Sequence, residues 1–387
     1  MSKVSESCLA IGAGAIGKSV TGLTFKEMGF DVTFVDVNEE VIRDINRRGG
    51  YRIKTARFNM KDTWQEVTGI SACNISSAEA EEKAISTDYI CTSVGSTGLK
   101  AIIPTLVKWF QKRDNISKKR LYLLFFENEG HCVEIVKRGI IDGMGAVPEW
   151  LTMAKASIER MTKVLPSHNG EFDVVGERVF PIFIDKEPMK NSSIAKDTKR
   201  IELVDDINAY YYRKLYTNNL GHAALGYVGL YYGYSTAVQT MSDEWVSSIM
   251  KKVLDEAGAM LVKTYGFTEK DMQEHITELP TRFWNQGLDD SLLRLARDPI
   301  RKLGPNERII GAMRKCVSEG IEVDGMCKVL CYALRYYRED DKESCELNKL
   351  RKEKGIEWIL ENICGISRDE EIFSCILNTD KALALDN

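Results

Sequence analysis

The sequence predicts an α/β protein: a doubly wound, mostly parallel sheet with extra strands, followed by a mostly α-helical second half. Three observations carry this. Short apolar runs alternate with helical patterns from Cys8 to about Phe126, and such alternation marks a parallel sheet covered on both faces. Three glycines, Gly12, Gly14 and Gly17, stand at G-x-G-x-x-G spacing directly after the first apolar run. After about residue 201 the β pattern fades. Helical periodicities take over, as at Trp245, Ile249 and Val253 and again at Met326, Val329, Leu330, Ala333 and Leu334.

The elements follow in order. Residues 8–11 read as a short buried strand, residues 18–28 as a helix stopped by Gly29, and residues 31–37 as a second strand with Asp36 near its end. Residues 39–48 form a helix ended by Gly49 and Gly50, and residues 51–54 and 64–67 suggest a pair of extra strands. Residues 88–95 are a buried strand. Its end at Val94 and Gly95 falls where ligands bind in such sheets, outside the carboxyl ends of the strands. An amphipathic helix over 99–110 and a strand over 121–126 follow, then Glu127 and Asn128. Residues 172–175 and 179–184 look like further strands. The polar stretch 186–200 is the candidate linker, dividing the chain into residues 1–195 and 201–387. The charged run 342–354 reads as a solvated helix surface.

Bulk properties narrow the function classes. A length of 387 residues allows two or three domains with ample core. A net charge of −4 gives no reason to expect nucleic acid or an anionic membrane as partner. No apolar run reaches transmembrane length, and residues 1–7 lack a signal-peptide core. The ten cysteines include no C-x-x-C pair and read as reduced buried thiols of a cytoplasmic protein. No Cys/His cluster has a zinc-ligand spacing, so no metal is expected and any general base must be a side chain.

The glycine motif has a physical reading. Gly12 permits a tight turn, Gly14 lets backbone approach a pyrophosphate, and Gly17 lets the helix pack close to the sheet. The helix N-terminus offers free amide hydrogens to phosphates. Asp36 lies 24 positions after Gly12, suited to accept hydrogen bonds from the adenosine ribose hydroxyls. Its charge repels a 2′-phosphate, which favours NAD over NADP. The Rossmann-type cofactor site is therefore expected at Gly12, Gly14, Ile16, Gly17, Asp36, Val94 and Gly95.

A second signal lies in the apolar helical stretch around Ala223, Leu225 and Val228, where Lys214, Asn219 and His222 are placed. On an α-helix, Asn219 and His222 sit roughly 140° and 80° around from Lys214, so the three share one broad face. Polar groups are costly to bury unless satisfied or functional. A snorkelling Lys, a capping Asn and a core His are the plain reading. A metal-free proton-transfer site is the functional one. Helix geometry does not choose between Asn219 and its neighbour Asn218.

With these motifs in place, the chain resembles the mannitol-1-phosphate 5-dehydrogenases, which are long-chain, metal-independent polyol dehydrogenases. The resemblance runs over nearly the whole length. Its anchors are residues 12–17, 33–38, Val94-Gly95, Glu127-Asn128, Lys214 to His222, and 297–303. It implies that Lys214 is the general acid/base, losing its charge to accept a hydroxyl proton. It implies that Asn219 and Asn128 hold the reacting oxygen and that His222 orients substrate. Arg294, Arg297 and Lys302 would then bind the phosphate; a solvated helix end is the alternative for these three. Lys18 and Glu159 depart from the family pattern, where arginine and aspartate are usual.

The resemblance implies hydride exchange between NAD(H) and a small sugar phosphate or polyol, by a monomer or homodimer. The weighed alternatives are the same chemistry on an unphosphorylated polyol or a hexuronate, and a non-catalytic dinucleotide-binding redox sensor. Because Gly12, Gly14, Gly17 and Lys214 lie in different halves, the site is expected to form between them.

Overall fold

A computed structural model of the chain describes residues 5–385. It divides into two compact units, Met1–Tyr211 and Tyr212–Asn387.

The first unit is built on twelve strands: β1 (Ser7–Ile11), β2 (Asp31–Asp36), β3 (Gly50–Thr55), β4 (Thr63–Thr68), β5 (Ile70–Asn74), β6 (Tyr89–Thr92), β7 (Leu121–Phe125), β8 (Leu151–Ser157), β9 (Thr162–Val164), β10 (Val174–Gly176), β11 (Ile182–Asp185) and β12 (Ile201–Val204). Eight form one sheet in the order β12-β11-β8-β7-β6-β1-β2-β5. Pairing is parallel from β5 to β8, antiparallel between β8 and β11, and parallel again from β11 to β12. Residues of β1 alternate between two apolar cores. Cys8 and Ala10 join Phe25, Phe34 and Tyr89, while Leu9 and Ile11 join Leu106, Trp109 and Phe125. That period of two, apolar on both faces, explains the continuous apolar run of a central parallel strand. Burying each such Leu or Phe contributes about 1.5–3 kcal/mol.

The predicted extra strands exist as β3 and β4, but they belong to a separate four-stranded sheet, β4-β3-β10-β9. The stretch expected as a polar linker is instead packed structure. It holds a short helix, Lys186–Met189, and a 3₁₀ turn, Ser193–Lys196, anchored by buried Met189 and Ile194. Past it comes β12, where the sequence shows no β pattern. Four residues, Ile-Glu-Leu-Val, are too few for a period of two to stand out against a helical turn.

The second unit is helical, with a long central helix, Glu244–Tyr265, packed on Leu220–Tyr231, Ile310–Ser318 and Asp324–Arg335. Its charged helix Lys342–Asn362 is broken at Gly355, where φ is 84°. No described helix is long and apolar enough to cross a membrane.

Candidate active site

In the first unit, β1 runs straight into the glycine loop. Gly12 has φ of 100° and donates its N–H to Val35 O at 2.8 Å. A Cβ on Gly17 would lie 1.9 Å from Gly12 O, so only glycine lets the following helix approach this closely. A Cβ on Gly14 would meet nothing within 4 Å. Backbone is thus exposed there to an incoming phosphate. Ile16 packs partly against the core. The helix after the loop begins as a π-helical stretch, Gly17–Gly22, before Leu23–Glu27.

Asp36 closes β2 beside this loop. Its Oδ2 accepts from Ala13 N at 2.7 Å, and its Oδ1 accepts from Val37 N at 2.8 Å and Asn38 N at 2.9 Å. The carboxylate is fixed in direction, and Oδ2 keeps a lone pair for a hydroxyl donor. Val94 and Gly95, expected as the end of the strand, instead lie past β6 at the start of the helix Gly95–Ile116, which begins four residues earlier than its apolar pattern. Their amides are engaged by Glu127, whose Oε1 and Oε2 accept from them at 2.9 Å each. Burial raises the Glu127 carboxyl above its usual range, and these amide bonds oppose the rise. The sequence offered Glu127 only as a neighbour of Asn128, and its helix-capping role was missed. Asn128 itself is exposed past the end of β7.

Of the two departures from the family pattern, Lys18 has a structural explanation. Lys18 is buried, with its Nζ donating to Phe172 O, and burial lowers its pKa to about 8. It is a strut inside the first unit. Glu159 is buried, next to Arg160. The Arg160 guanidinium donates to Glu177 O and Ser19 O and ties this segment to the π-helical stretch.

Lys155 was also missed. It faces Phe125 in the β7–β8 register. Its Nζ donates to Gly130 O at 2.9 Å and Asn208 Oδ1 at 3.1 Å and sits 3.9 Å from the Tyr211 ring centroid. Burial depresses its pKa. A lysine flanked by alanines in a mostly buried strand was the available signal.

The helical stretch carrying Lys214, Asn219 and His222 starts in the last residues of the first unit and is not uniformly α. Ile207–Lys214 passes into a π-helical turn, Leu215–Asn219, and then into Leu220–Tyr231. The α-helical angles expected for these side chains are therefore corrected. The wider i→i+5 turn spans the five positions from Lys214 to Asn219, and such turns are frequent at functional sites. Lys214, Asn219 and His222 are each half-buried. Asn218 is buried, accepts from the Thr217 hydroxyl at 3.2 Å, and its Nδ2 has no partner. The Thr217 hydroxyl also meets His275 Nε2 at 2.9 Å.

The His222 ring meets that of Phe283 at a tilt, with ring centroids 4.9 Å apart. Burial holds its pKa well below the usual imidazole range, and Arg294, Arg308, Arg282 and Lys302 lower it further. The imidazole is neutral at pH 7 and sits in a positive field. Two of those four cations, Arg294 and Lys302, were expected from the sequence. Arg282 and Arg308 were not, because they lie outside the stretch around 294–303 that the family resemblance singles out. Lys302 is buried, its Nζ donating to Leu295 O at 2.6 Å. Burial, aided by Arg308 and Arg301, brings its pKa down to about 7. Arg294 pairs with Asp290 at 2.5 Å. Arg297 is exposed, near Asp298 at 3.8 Å, and its charge adds to those that lower the Lys302 pKa. Among the described residues no group of three or more His, Cys, Asp or Glu could hold a metal ion.

A glycine-loop sheet followed by a helical unit with a lysine-bearing helix defines a two-unit dehydrogenase. The mannitol dehydrogenase Rossmann domain family matches residues 6–197, and the mannitol dehydrogenase C-terminal domain family matches residues 206–378. The chain belongs to the mannitol dehydrogenase family and is an oxidoreductase. It is 31% identical over 378 residues to the mannitol-1-phosphate 5-dehydrogenase of Bacillus pumilus, covering 95% of this chain and 98% of that one. The enzyme of that name from Emericella nidulans is 30% identical over 378 residues, covering 95% of each. Among solved structures, Pseudomonas fluorescens mannitol 2-dehydrogenase in ternary complex with NAD and D-mannitol shares the fold. Its TM-score is 0.77 at 15% identity, over 99% of this chain and 92% of that one.

Proposed function

We propose that this chain interconverts mannitol 1-phosphate and fructose 6-phosphate with NAD(H). The observation that carries the reading is the pairing of a glycine loop, open at Gly14 and closed to any side chain at Gly17, with a π-helical turn that spaces Lys214, Asn219 and His222; basic side chains at 282, 294, 302 and 308 depress the His222 imidazole. A neutral imidazole in such a field suits a site that takes an anionic substrate, and arginine's planar fork suits a phosphate best. The relatives at about 30% identity over nearly the full chain carry the same activity in their names.

The cofactor loop fits a dinucleotide: an open face at Gly14, a glycine-only contact at Gly17 and an oriented acid at Asp36. When bound, the nicotinamide exchanges the hydride. The chain's own residues manage the proton and the charge on oxygen. Lys214 Nζ accepts the hydroxyl proton in oxidation and returns it in reduction. Asn219, half-exposed where Asn218 is buried, donates its side-chain N–H to the reacting oxygen, an interaction worth about 3 kcal/mol in the transition state. Asn128 supplies a second donor of the same kind. His222 orients the substrate as an uncharged hydrogen-bonding group, and Arg294 and Lys302, with Arg308 and Arg282, provide the field that holds the phosphate.

Lys214→Ala is expected to lower kcat by about 10²–10⁴-fold while leaving NADH affinity unchanged. Turnover surviving within about tenfold, or ~1.4 kcal/mol of barrier, removes Lys214 as the base. NADH oxidation should be rapid with fructose 6-phosphate and slow with fructose or tagaturonate, and inorganic phosphate should compete with the sugar phosphate. Indifference to phosphate would assign the enzyme to an unphosphorylated substrate.

A further inference from the structure

All ten cysteines are free thiols, and eight of them are buried. The two half-exposed ones, Cys345 and Cys375, differ in their surroundings. Cys345 Sγ faces backbone carbonyls, at 3.2 Å from Arg338 O. Cys375 Sγ lies 2.8 Å from Cys327 Sγ. The other close thiol pair, Cys8 and Cys91, is 3.6 Å apart and wholly buried. The Cys327–Cys375 separation thus stands between that ordinary non-bonded contact and a covalent S–S bond of about 2.04 Å. The two residues come from packed helices, Asp324–Arg335 and Glu371–Leu385. They are 48 positions apart.

We propose that Cys327 and Cys375 are an oxidation site that closes to a reversible disulfide in the presence of a peroxide-class oxidant. The accessible sulfur reacts first. Cys375–SH and H₂O₂ give Cys375–SOH and one water, with the sulfur oxidised and the O–O bond cleaved. The Cys327 sulfur then attacks the Cys375 sulfur, displacing its oxygen as a second water. Two thiols and one peroxide become one disulfide and two waters. An external dithiol reverses the step and is itself oxidised. Geometry sets the selectivity. Cys345 Sγ meets the carbonyls of Arg338 and Glu339 and no thiol among the described residues, and the Cys8–Cys91 pair has no exposed member. Buried Cys327, whose thiol is held well above its usual pKa by burial, is a poor first target and serves as the resolving thiol.

The bond ties the last described helix to Asp324–Arg335. That helix packs against Leu220–Tyr231, which carries His222. Oxidation therefore braces the helical unit by closing a long loop.

The test treats the reduced full-length protein with equimolar hydrogen peroxide, blocks residual thiols with N-ethylmaleimide and maps peptides by mass spectrometry. The expected product joins the peptides of Cys327 and Cys375, two hydrogens lighter than the reduced pair. The thiol titre of the denatured protein falls by two from ten, dithiothreitol restores it, and the oxidised form melts at a higher temperature. Cys375→Ser should abolish the cross-link and leave Cys327 reduced. Cys327→Ser should leave a sulfenic acid at Cys375 that dimedone traps. The wild-type peptide map decides the question even if a variant folds poorly. Oxidation of Cys345 with the pair left reduced, or conversion of Cys375 to sulfinic acid without a cross-link, overturns the proposal.

Discussion

Lys302 shows how one side chain serves two demands. In the unfolded chain it is an ordinary lysine with a pKa near 10.5, whereas in the fold it releases its proton near pH 7. Between those values the unfolded state holds the extra proton, so stability rises with pH across that window. Below about pH 7 both states are protonated and the burial penalty is fully present. Lys302→Met should therefore melt higher than wild type at pH 7, with the gap shrinking towards pH 10. It should also raise KM for fructose 6-phosphate about tenfold, ~1.4 kcal/mol of binding. Melting curves across pH and steady-state kinetics measure both; a pH-independent gap would show that the amine is not the cause. Gly17→Ala makes a simpler case. Its Cβ would sit 1.9 Å from Gly12 O, so the loop must distort and NADH affinity, followed by fluorescence titration, should fall sharply. Gly17 was legible in the sequence because sterics at a strand–helix turn leave few choices. Arg282 and Arg308 were not, since a cation's distance from His222 depends on packing between helices far apart in sequence.

Individual elements show a similar division. The strands with continuous apolar runs, β1, β2, β6 and β7, were readable because burial on both faces leaves one solution for such a run. The π-helical turn Leu215–Asn219 was not. One extra residue per turn alters no composition, and over five residues of mixed polar and apolar type there is no stripe whose phase could betray it. β12 failed for lack of length. The cap on the helix Gly95–Ile116 was hidden because its carboxylate, Glu127, arrives from a different strand-to-helix connection. Glu127→Ala leaves the Val94 and Gly95 amides without it and should destabilise the fold by about 1–3 kcal/mol. Urea denaturation would reveal the change as a lower midpoint; an unaltered midpoint would mean solvent satisfies those amides equally well.

For the whole molecule, the first unit contains its own sheet, its own cores and every residue assigned to the dinucleotide. A fragment of residues 1–211 should fold and bind NADH while showing no turnover, because Lys214 and His222 are missing from it. Absence of NADH binding by a folded fragment would show that the cofactor site needs residues beyond Tyr211. The overall charge of −4 offers no attraction to an anionic substrate, so the positive field around His222 must be local. This follows from the placement of a few cations, Arg282 and Lys302 buried and Arg294 and Arg308 less so, and not from composition.

Asp36 carries an engineering consequence. Its carboxylate is held by the amides of Ala13, Val37 and Asn38, so the side chain that would discriminate between dinucleotides also laces the phosphate loop to the second strand. Replacing it with a small neutral residue to admit a 2′-phosphate would unlace the loop at the same stroke. A redesign towards the phosphorylated cofactor would have to supply those three amides with a new acceptor before adding any cation, and a variant without one should bind both dinucleotides poorly.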